Sequence, residues 1–258
     1  MPNVNKSKPL FGSWPAVVGL PATVWATQTT RLIAQGEPCA SFDRFNLALH
    51  VGDDPVAVQA NRMTLLRYLA PLGVHQVVWL NQTHSTRVQV ADGHLQLNAV
   101  DADALVTQHR GLAIAVMTAD CLPIVLTDAA GTEIACVHAG WRGLLNGVIE
   151  ATVAHMQHVP AVAWLGAAIG PQCFEVGVDV RAAFLAHDPA TSVAFVPSPA
   201  GRWLADLYQL ARLRLHAMGV ETVLGGTHCT VTDHAQFYSF RHCAHTGRMA
   251  TVAVLLPR

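Results

Sequence analysis

Permanent charge is scarce in this chain. Its 258 residues hold 16 Lys and Arg against 17 Asp and Glu, a formal net charge of −1, and only 13% are charged. With no positive excess to neutralise phosphates, the composition argues against a nucleic-acid-binding role. It also gives no sign of a polyanionic or polycationic partner. Disorder is excluded, because 52% of the residues are hydrophobic and the net charge is close to zero. Long apolar runs are missing as well. None reaches the ~18 residues of a membrane span, and 161–169 falls well short. Lys6 and Lys8 precede Phe11, Trp14 and Pro15, but Gly12 and Gly19 interrupt this segment, so a signal peptide is not expected. Cysteine is sparse: Cys39, Cys121, Cys136, Cys173, Cys229 and Cys243 form no CxxC pair and lack the density of a disulfide scaffold. Free thiols and a cytoplasmic location follow as expectations. The short fingerprints GxGxxG, Walker, GxSxG and HExxH are also absent.

Histidine, by contrast, is plentiful: its 14 copies nearly match the 17 acids. A chain poor in fixed charge and rich in imidazole raises a metal or acid–base question. The length suits one large domain, spanning 1–258 with an irregular lead-in over 1–20, that buries roughly 70–75% of its unfolded surface. Strands are predicted at 22–30, 76–81, 86–90, 103–107, 112–118, 121–127, 133–138, 161–169, 220–224, 237–240 and 249–256. The near-continuous apolar run LAIAVMT at 112–118 reads as a buried strand. Helices are predicted from Asp54 and Pro55 to about Leu69, and over 143–156, 179–187 and 204–218, the last capped by Gly219. The loop at 196–201, VPSPAG, is the best candidate to divide two lobes. There is no fixed-period repeat.

Chemically capable residues concentrate where predicted strands break into turns. The segments are Asn81-Gln82-Thr83-His84, Thr118-Ala119-Asp120-Cys121-Leu122-Pro123 and Val137-His138-Ala139-Gly140-Trp141-Arg142-Gly143. His84, Cys121 and His138 suit zinc, which takes nitrogen and sulfur donors and keeps one position open in catalytic sites. Asp120 would then orient a ligand or handle a proton. A rival reading makes Cys121 a nucleophile with His84 or His138 as its base. A third packs Cys121 as a small hydrophobe between Met117 and Ile124. Spacing alone does not choose among them. Cys136, alternating within a strand, reads as core. Arg142 at a helix start is an anion candidate, or the partner of a local acid. Arg62, Arg241 and Arg248 are further anion candidates. Glu175 is a candidate for a ligand hydroxyl or a helix cap, and Asn46 and Asn61 for orienting loops or ligands. His94, His109, His155, His158 and His187 read as solvent-facing.

Taken together, these segments resemble the laccase-domain family, also called the YfiH or peptidoglycan editing factor family. The resemblance runs from about Phe42 to the C-terminus. It includes Phe45-Asn46-Leu47, Val51-Gly52-Asp53, Asn61-Arg62, Ile169-Gly170-Pro171, Phe174-Glu175-Val176-Gly177, Cys229-Thr230, Ser239-Phe240-Arg241 and Thr246-Gly247-Arg248-Met249. Two departures are visible: Thr83-His84-Ser85 stands where the family often has Val-His-Gly, and Phe174 where Tyr is common. The resemblance implies an α+β fold, a compact single domain with two mixed β-sheets between helical layers (α/β/β/α). It implies a zinc site formed by His84, Cys121 and His138, with Asp120 beside it. It implies phosphorolysis of purine nucleosides such as adenosine, inosine and methylthioadenosine, and deamination of adenosine. Phosphate and substrate contacts are then expected from Asn46, Arg62, Arg142, Glu175 and Arg248, in a monomer that acts on small molecules, away from membranes. A Cys-His hydrolase that edits muramyl-nucleotide peptidoglycan precursors is the alternative enzyme. A non-catalytic zinc-containing interaction protein is the alternative outside enzymology. The word laccase fits poorly, because several copper sites need many clustered histidines.

Overall fold

Five strands with every residue buried organise the chain. A strand shows alternate residues to opposite faces, so complete burial means that something packs on both sides. The computed structural model describes residues 14–31, 42, 45–94, 98–199 and 201–257. Residues 1–13 of the expected 1–20 lead-in and the loop residue Cys39 lie outside them. In chain order the elements are β1 (Val24–Gln28), α1 (Pro55–Leu69), β2 (Gln76–Val78), β3 (Leu80–Asn81), β4 (Val88–Val90), β5 (Val100–Asp101) and β6 (Ala104–Thr107). They continue with β7 (Leu112–Thr118), β8 (Leu122–Asp128), β9 (Ile134–Ala139), α2 (Trp141–Asn146), α3 (Val148–His155), β10 (Pro160–Leu165), β11 (Glu175–Val176) and α4 (Val178–His187). The last are β12 (Phe195–Pro197), β13 (Trp203–Ala205), α5 (Leu207–Ala217), β14 (Thr222–Gly225) and β15 (Met249–Leu255). The completely buried strands are β6, β7, β8, β9 and β15.

Two mixed sheets form the centre. One has the order β1-β15-β7-β2 and the other β14-β10-β8-β9-β6-β4. Each combines antiparallel pairs with parallel edges, β2 on β7 in the first and both β4 on β6 and β14 on β10 in the second. Their inner faces meet through Ile114 and Val116 on one side and Val125, Ile134 and Cys136 on the other. The outer face of the smaller sheet packs Ala113, Ala115 and Val252 against Leu65 and Leu69 of α1. The outer face of the larger sheet packs Ile124, Leu126 and Val137 against α3, α4 and α5 through Ile149, Phe184 and Leu210. The layers therefore run helix, sheet, sheet, helices, as the resemblance implied. Two small sheets, β11-β13-β12 and β3-β5, are added at the periphery.

Several expected elements are refined. The stretch 143–156 is two helices, because Gly147 adopts φ +93° and ends the first as it opens the second. The stretch 204–218 begins in β13. Its helix starts only after Asp206, whose side chain accepts from the Gln209 N–H. The 196–201 loop turns the hairpin between β12 and β13, closed by the Ser198 N–H on the Arg202 carbonyl, and divides no lobes. The stretch 237–240 is irregular: its Tyr238 hydroxyl donates to the Phe42 carbonyl, so the ring anchors a loop. The stretch 76–81 changes partner at Trp79, pairing first with β7 and then with β5. Among the described residues no helix is long and apolar enough to cross a membrane.

Candidate metal centre

The seam between the two sheets brings His84, Cys121 and His138 together. His84 follows β3, Cys121 lies where the chain leaves β7 and enters β8, and His138 is inside β9, opposite Pro123 of β8. Their donor atoms all lie within 4.8 Å of one another, with Cys121 Sγ 3.7 Å from His84 Nε2. A zinc ion holding sulfur and nitrogen at tetrahedral angles separates them by about 3.5 Å. The spacing and the N, N, S donor set therefore fit zinc. Gly140 completes the cradle: a Cβ there would come within 3.0 Å of both Cys121 Sγ and His84 Cδ2.

Both ligand turns use left-handed backbone at a non-glycine residue, which is uncommon and needs support. His84 has φ +59° and Asp120 has φ +89°. Asp103, fully buried at the entry to β6, supports the first. Its Oδ1 accepts from the His84 N–H at 3.0 Å, and its Oδ2 from the Ser85 N–H at 2.6 Å and the Ser85 hydroxyl at 2.7 Å. The same Oδ1 lies 2.8 Å from His138 Nδ1, which leaves Nε2 to face the centre. Gln82 adds a second brace, donating to the Met117 carbonyl at 2.7 Å and accepting from the Met117 N–H at 2.8 Å. The Asp120 turn is held through its carboxylate, by the Thr230 hydroxyl at 2.5 Å and the Arg241 N–H at 2.6 Å.

The electrostatics match this order. Burial raises the Asp103 pKa, but hydrogen bonds from His138 and Ser85 outweigh it and hold the carboxyl at about 2. Burial lowers His138, yet the neighbouring Cys121 and Asp103 raise it to about 9. Enclosure raises the Cys121 thiol, but the charge on His138 and hydrogen bonds from both imidazoles bring it to about 6. Cys121 is therefore ready to act as a thiolate ligand.

The three donors face a cavity of about 310 Å³ whose wall includes His50, Met117, Ile169, Phe174, Phe240, Arg241 and Arg248. That volume is at the small end of the roughly 300–1,000 Å³ usual for ligand sites. Arg248 reaches the wall with Nη1 fixed on the Thr246 and Gly247 carbonyls, while its N–H is accepted by Asn46 Oδ1. Arg241 donates to the Cys173 and Glu175 carbonyls. The other expected contacts lie elsewhere. Asn46 is buried and spends its amide on Ala48, Asp53 and the Arg248 N–H. Arg62 stacks 4.3 Å from the Trp79 ring and donates to the Leu47 carbonyl; burial lowers its pKa to about 10. Arg142 is exposed over Trp141, away from the cavity wall. Glu175 is paired with Ser198 and Arg202 and caps no helix. Cys136 is core, its thiol directed at the Ile114 carbonyl. The five solvent-type histidines are exposed.

Sequence reading missed Asp103 and His50. Asp103 carried one faint signal: an acid between alanines at the start of a strand in which every residue is buried requires partners. His50 carried none, because its cavity position comes from the loop before α1.

The family model described as multi-copper polyphenol oxidoreductase laccase matches residues 26–256. A Pseudomonas aeruginosa protein named purine nucleoside phosphorylase is 47% identical over 250 residues, covering 95% of this chain and 98% of its own. The Escherichia coli protein named purine nucleoside phosphorylase YfiH is 43% identical over 252 residues, covering 97% of this chain and 100% of its own. Among solved structures, a Neisseria meningitidis protein superposes with a TM-score of 0.86 at 44% identity, over 94% of this chain and 98% of its own. YlmD from Geobacillus stearothermophilus superposes with 0.81 at 30% identity, over 92% and 93%.

Proposed function

The chain belongs to the laccase-domain (YfiH) family, and from its site we propose that it is a zinc-dependent purine nucleoside phosphorylase that also deaminates adenosine. The observation that carries this is the donor set His84, Cys121 and His138 at the wall of a nucleoside-sized cavity beside Arg248. Among the described residues the group offers three donors, and Asp120 spends its carboxylate on Thr230 and Arg241. Three protein ligands leave the open position of a catalytic site, whereas a structural zinc takes four. That favours an enzyme over an interaction protein. The names of the relatives support phosphorolysis of purine nucleosides as the reaction.

In phosphorolysis, a phosphate oxygen attacks the anomeric carbon as the bond to the purine nitrogen breaks and the base leaves with that electron pair. Zinc, when bound, supplies a Lewis acid with one open position. The protein's part is positioning and charge. Arg248, its Nη1 set on two carbonyls, is the cation best placed to hold phosphate, and His50 stands beside it on the wall. Arg62 and Asn46 act one step back: Asn46 fixes the Arg248 backbone. Asp103 keeps His138 Nδ1 occupied and its ring aligned. Asp120 holds the cavity turn. Arg142 and Glu175 have no place in this scheme.

The Cys121–His84 contact also supports a second reading, a Cys-His hydrolase acting on peptidoglycan precursors. A muramyl nucleotide exceeds the cavity, so most of it would lie outside. The test is product analysis on metal-assayed protein, with inosine and adenosine, with and without phosphate. Phosphate-dependent hypoxanthine with sugar 1-phosphate is expected from inosine, and inosine from adenosine. Zinc-loaded protein that forms neither product refutes the proposal. In Cys121→Ser, zinc and turnover are expected to be lost together; retained zinc with no turnover would favour the nucleophile.

A further inference from the structure

We propose that Phe240 is the platform on which the purine ring of the substrate stacks. This inference rests on the phosphorylase reading and specifies how that site chooses its substrate. The cavity wall has apolar surface from Met117, Ile169, Phe174 and Phe240. Three of these lie beneath the surface, at 5%, 2% and 9% exposure, whereas Phe240 is 54% exposed. It is the one phenylalanine of the wall that is largely exposed.

That exposure is held in place by its neighbours. Tyr238 and Ser239 are buried, at 0% and 3%. The Ser239 hydroxyl accepts from the His242 N–H at 3.1 Å, and the Arg241 N–H donates to Asp120 Oδ2 at 2.6 Å. The turn carrying Phe240 is thus tied to the residue adjoining Cys121. An open ring on a fixed backbone loses little freedom when a flat ligand settles on it, the condition under which stacking contributes most to binding. Arg248 lies 5.9 Å from the centre of the ring. A ligand with a flat heteroaromatic part and an anionic partner group would therefore meet both requirements within one cavity. Purine and phosphate match that description, and purines stack on aromatic side chains through a face common to all of them. The platform then selects for a flat base while tolerating changes at the base edge.

The experiment compares Phe240→Ala, Phe240→Leu and Phe240→Tyr with the wild type in zinc-loaded protein. Thermal melts within a few degrees verify folding. The readouts are KM for inosine, KM for phosphate, kcat, and calorimetric binding of hypoxanthine without phosphate. Phe240→Ala is expected to raise the inosine KM and weaken hypoxanthine binding by about 10- to 100-fold, with the phosphate KM unchanged. Phe240→Tyr should stay near wild type, and Phe240→Leu should recover only part of the loss. Turnover with an inosine KM and hypoxanthine affinity that Phe240→Ala leaves within threefold overturns the platform and keeps the phosphorylase. An equal rise in the phosphate KM also overturns it, since the ring would then only be placing Arg248. Hypoxanthine binding that depends on Phe240, in a protein that forms no product, keeps the platform and removes the phosphorylase.

Discussion

Replacing Asp103 by Asn tests the outer support of the metal centre with almost no change in volume. The carboxylate now accepts from His138, the His84 N–H, the Ser85 N–H and the Ser85 hydroxyl. An amide keeps one oxygen. If its NH2 takes the Oδ2 position, it meets the Ser85 N–H donor to donor. If it takes the Oδ1 position, it opposes the His84 N–H and reverses the tautomer of His138, placing a proton on the nitrogen that faces the metal. Either way one charge-assisted hydrogen bond is lost, at about 1.5–3 kcal/mol, and its buried donor is left unpaired, at about 1–3 kcal/mol, or about 3–6 kcal/mol in total. For a chain of this size, that is a Tm lower by about 6–12 °C in metal-free protein. Zinc affinity should fall by about 10- to 100-fold, the usual cost of removing a hydrogen-bond partner of a ligating histidine. A competition titration against a chelating dye and a melt at several pH values measure both quantities. The pH dependence has a definite sign. The Asp103 pKa is depressed to about 2, so its stabilisation is complete above the ordinary carboxylate value and is lost as pH falls through about 2. The Tm gap between the two proteins should hold between about pH 5 and 7 and narrow below about pH 4. A variant that melts within 2 °C of wild type at pH 7 and binds zinc within threefold would refute this account of Asp103.

Gly140→Ala should leave the fold intact, because its φ of −65° and ψ of 165° suit any residue, while its Cβ presses on Cys121 Sγ and His84 Cδ2. Zinc affinity about tenfold weaker with an unchanged Tm is expected from a chelator titration, and unchanged affinity would mean that the cradle is looser than described. In zinc-stripped protein, iodoacetamide should alkylate Cys121 with a pH midpoint near 6, the rate falling as the thiolate is protonated. Cys136, fully buried with its pKa raised, should stay unmodified until the protein unfolds, and added zinc should protect Cys121; peptide mapping by mass spectrometry reads each site.

The fold was legible where one physical signal acted alone. LAIAVMT at 112–118 is β7 to the residue, because seven consecutive apolar side chains have no solvent-facing alternative. Asp54 and Pro55 start α1 as capping chemistry requires. Legibility failed where tertiary context decided. Gly147 was one glycine in a helical pattern until its positive φ split the helix. Leu204 has helical spacing with Leu207 and Leu210, yet it is drawn into a hairpin with Val196. At the site, the three donors stood out because few side chains have their chemistry. Arg142 is an anion candidate by its place at a helix start, but it turns onto Trp141. Arg248 and Phe240 share one wall because both lie in the long segment from β14 of the larger sheet to β15 of the smaller, and no local pattern encodes its path.

The position of Cys121 has a consequence for how long the folded state lasts. The chain leaves the smaller sheet at Thr118 and enters the larger at Leu122, so this cysteine sits on the corner that joins the two layers. His84 is 37 residues away in sequence, a long loop for an unfolded chain to close. A cation held by all three side chains would therefore act as a clasp, tying this corner to β9 and to the turn after β3. Its grip is available once both sheets have docked, so it slows their parting and does little to hasten their meeting. At a free metal concentration 100 times its Kd the clasp is worth about 2.7 kcal/mol, roughly a 100-fold longer native lifetime if all of it falls on the unfolding step.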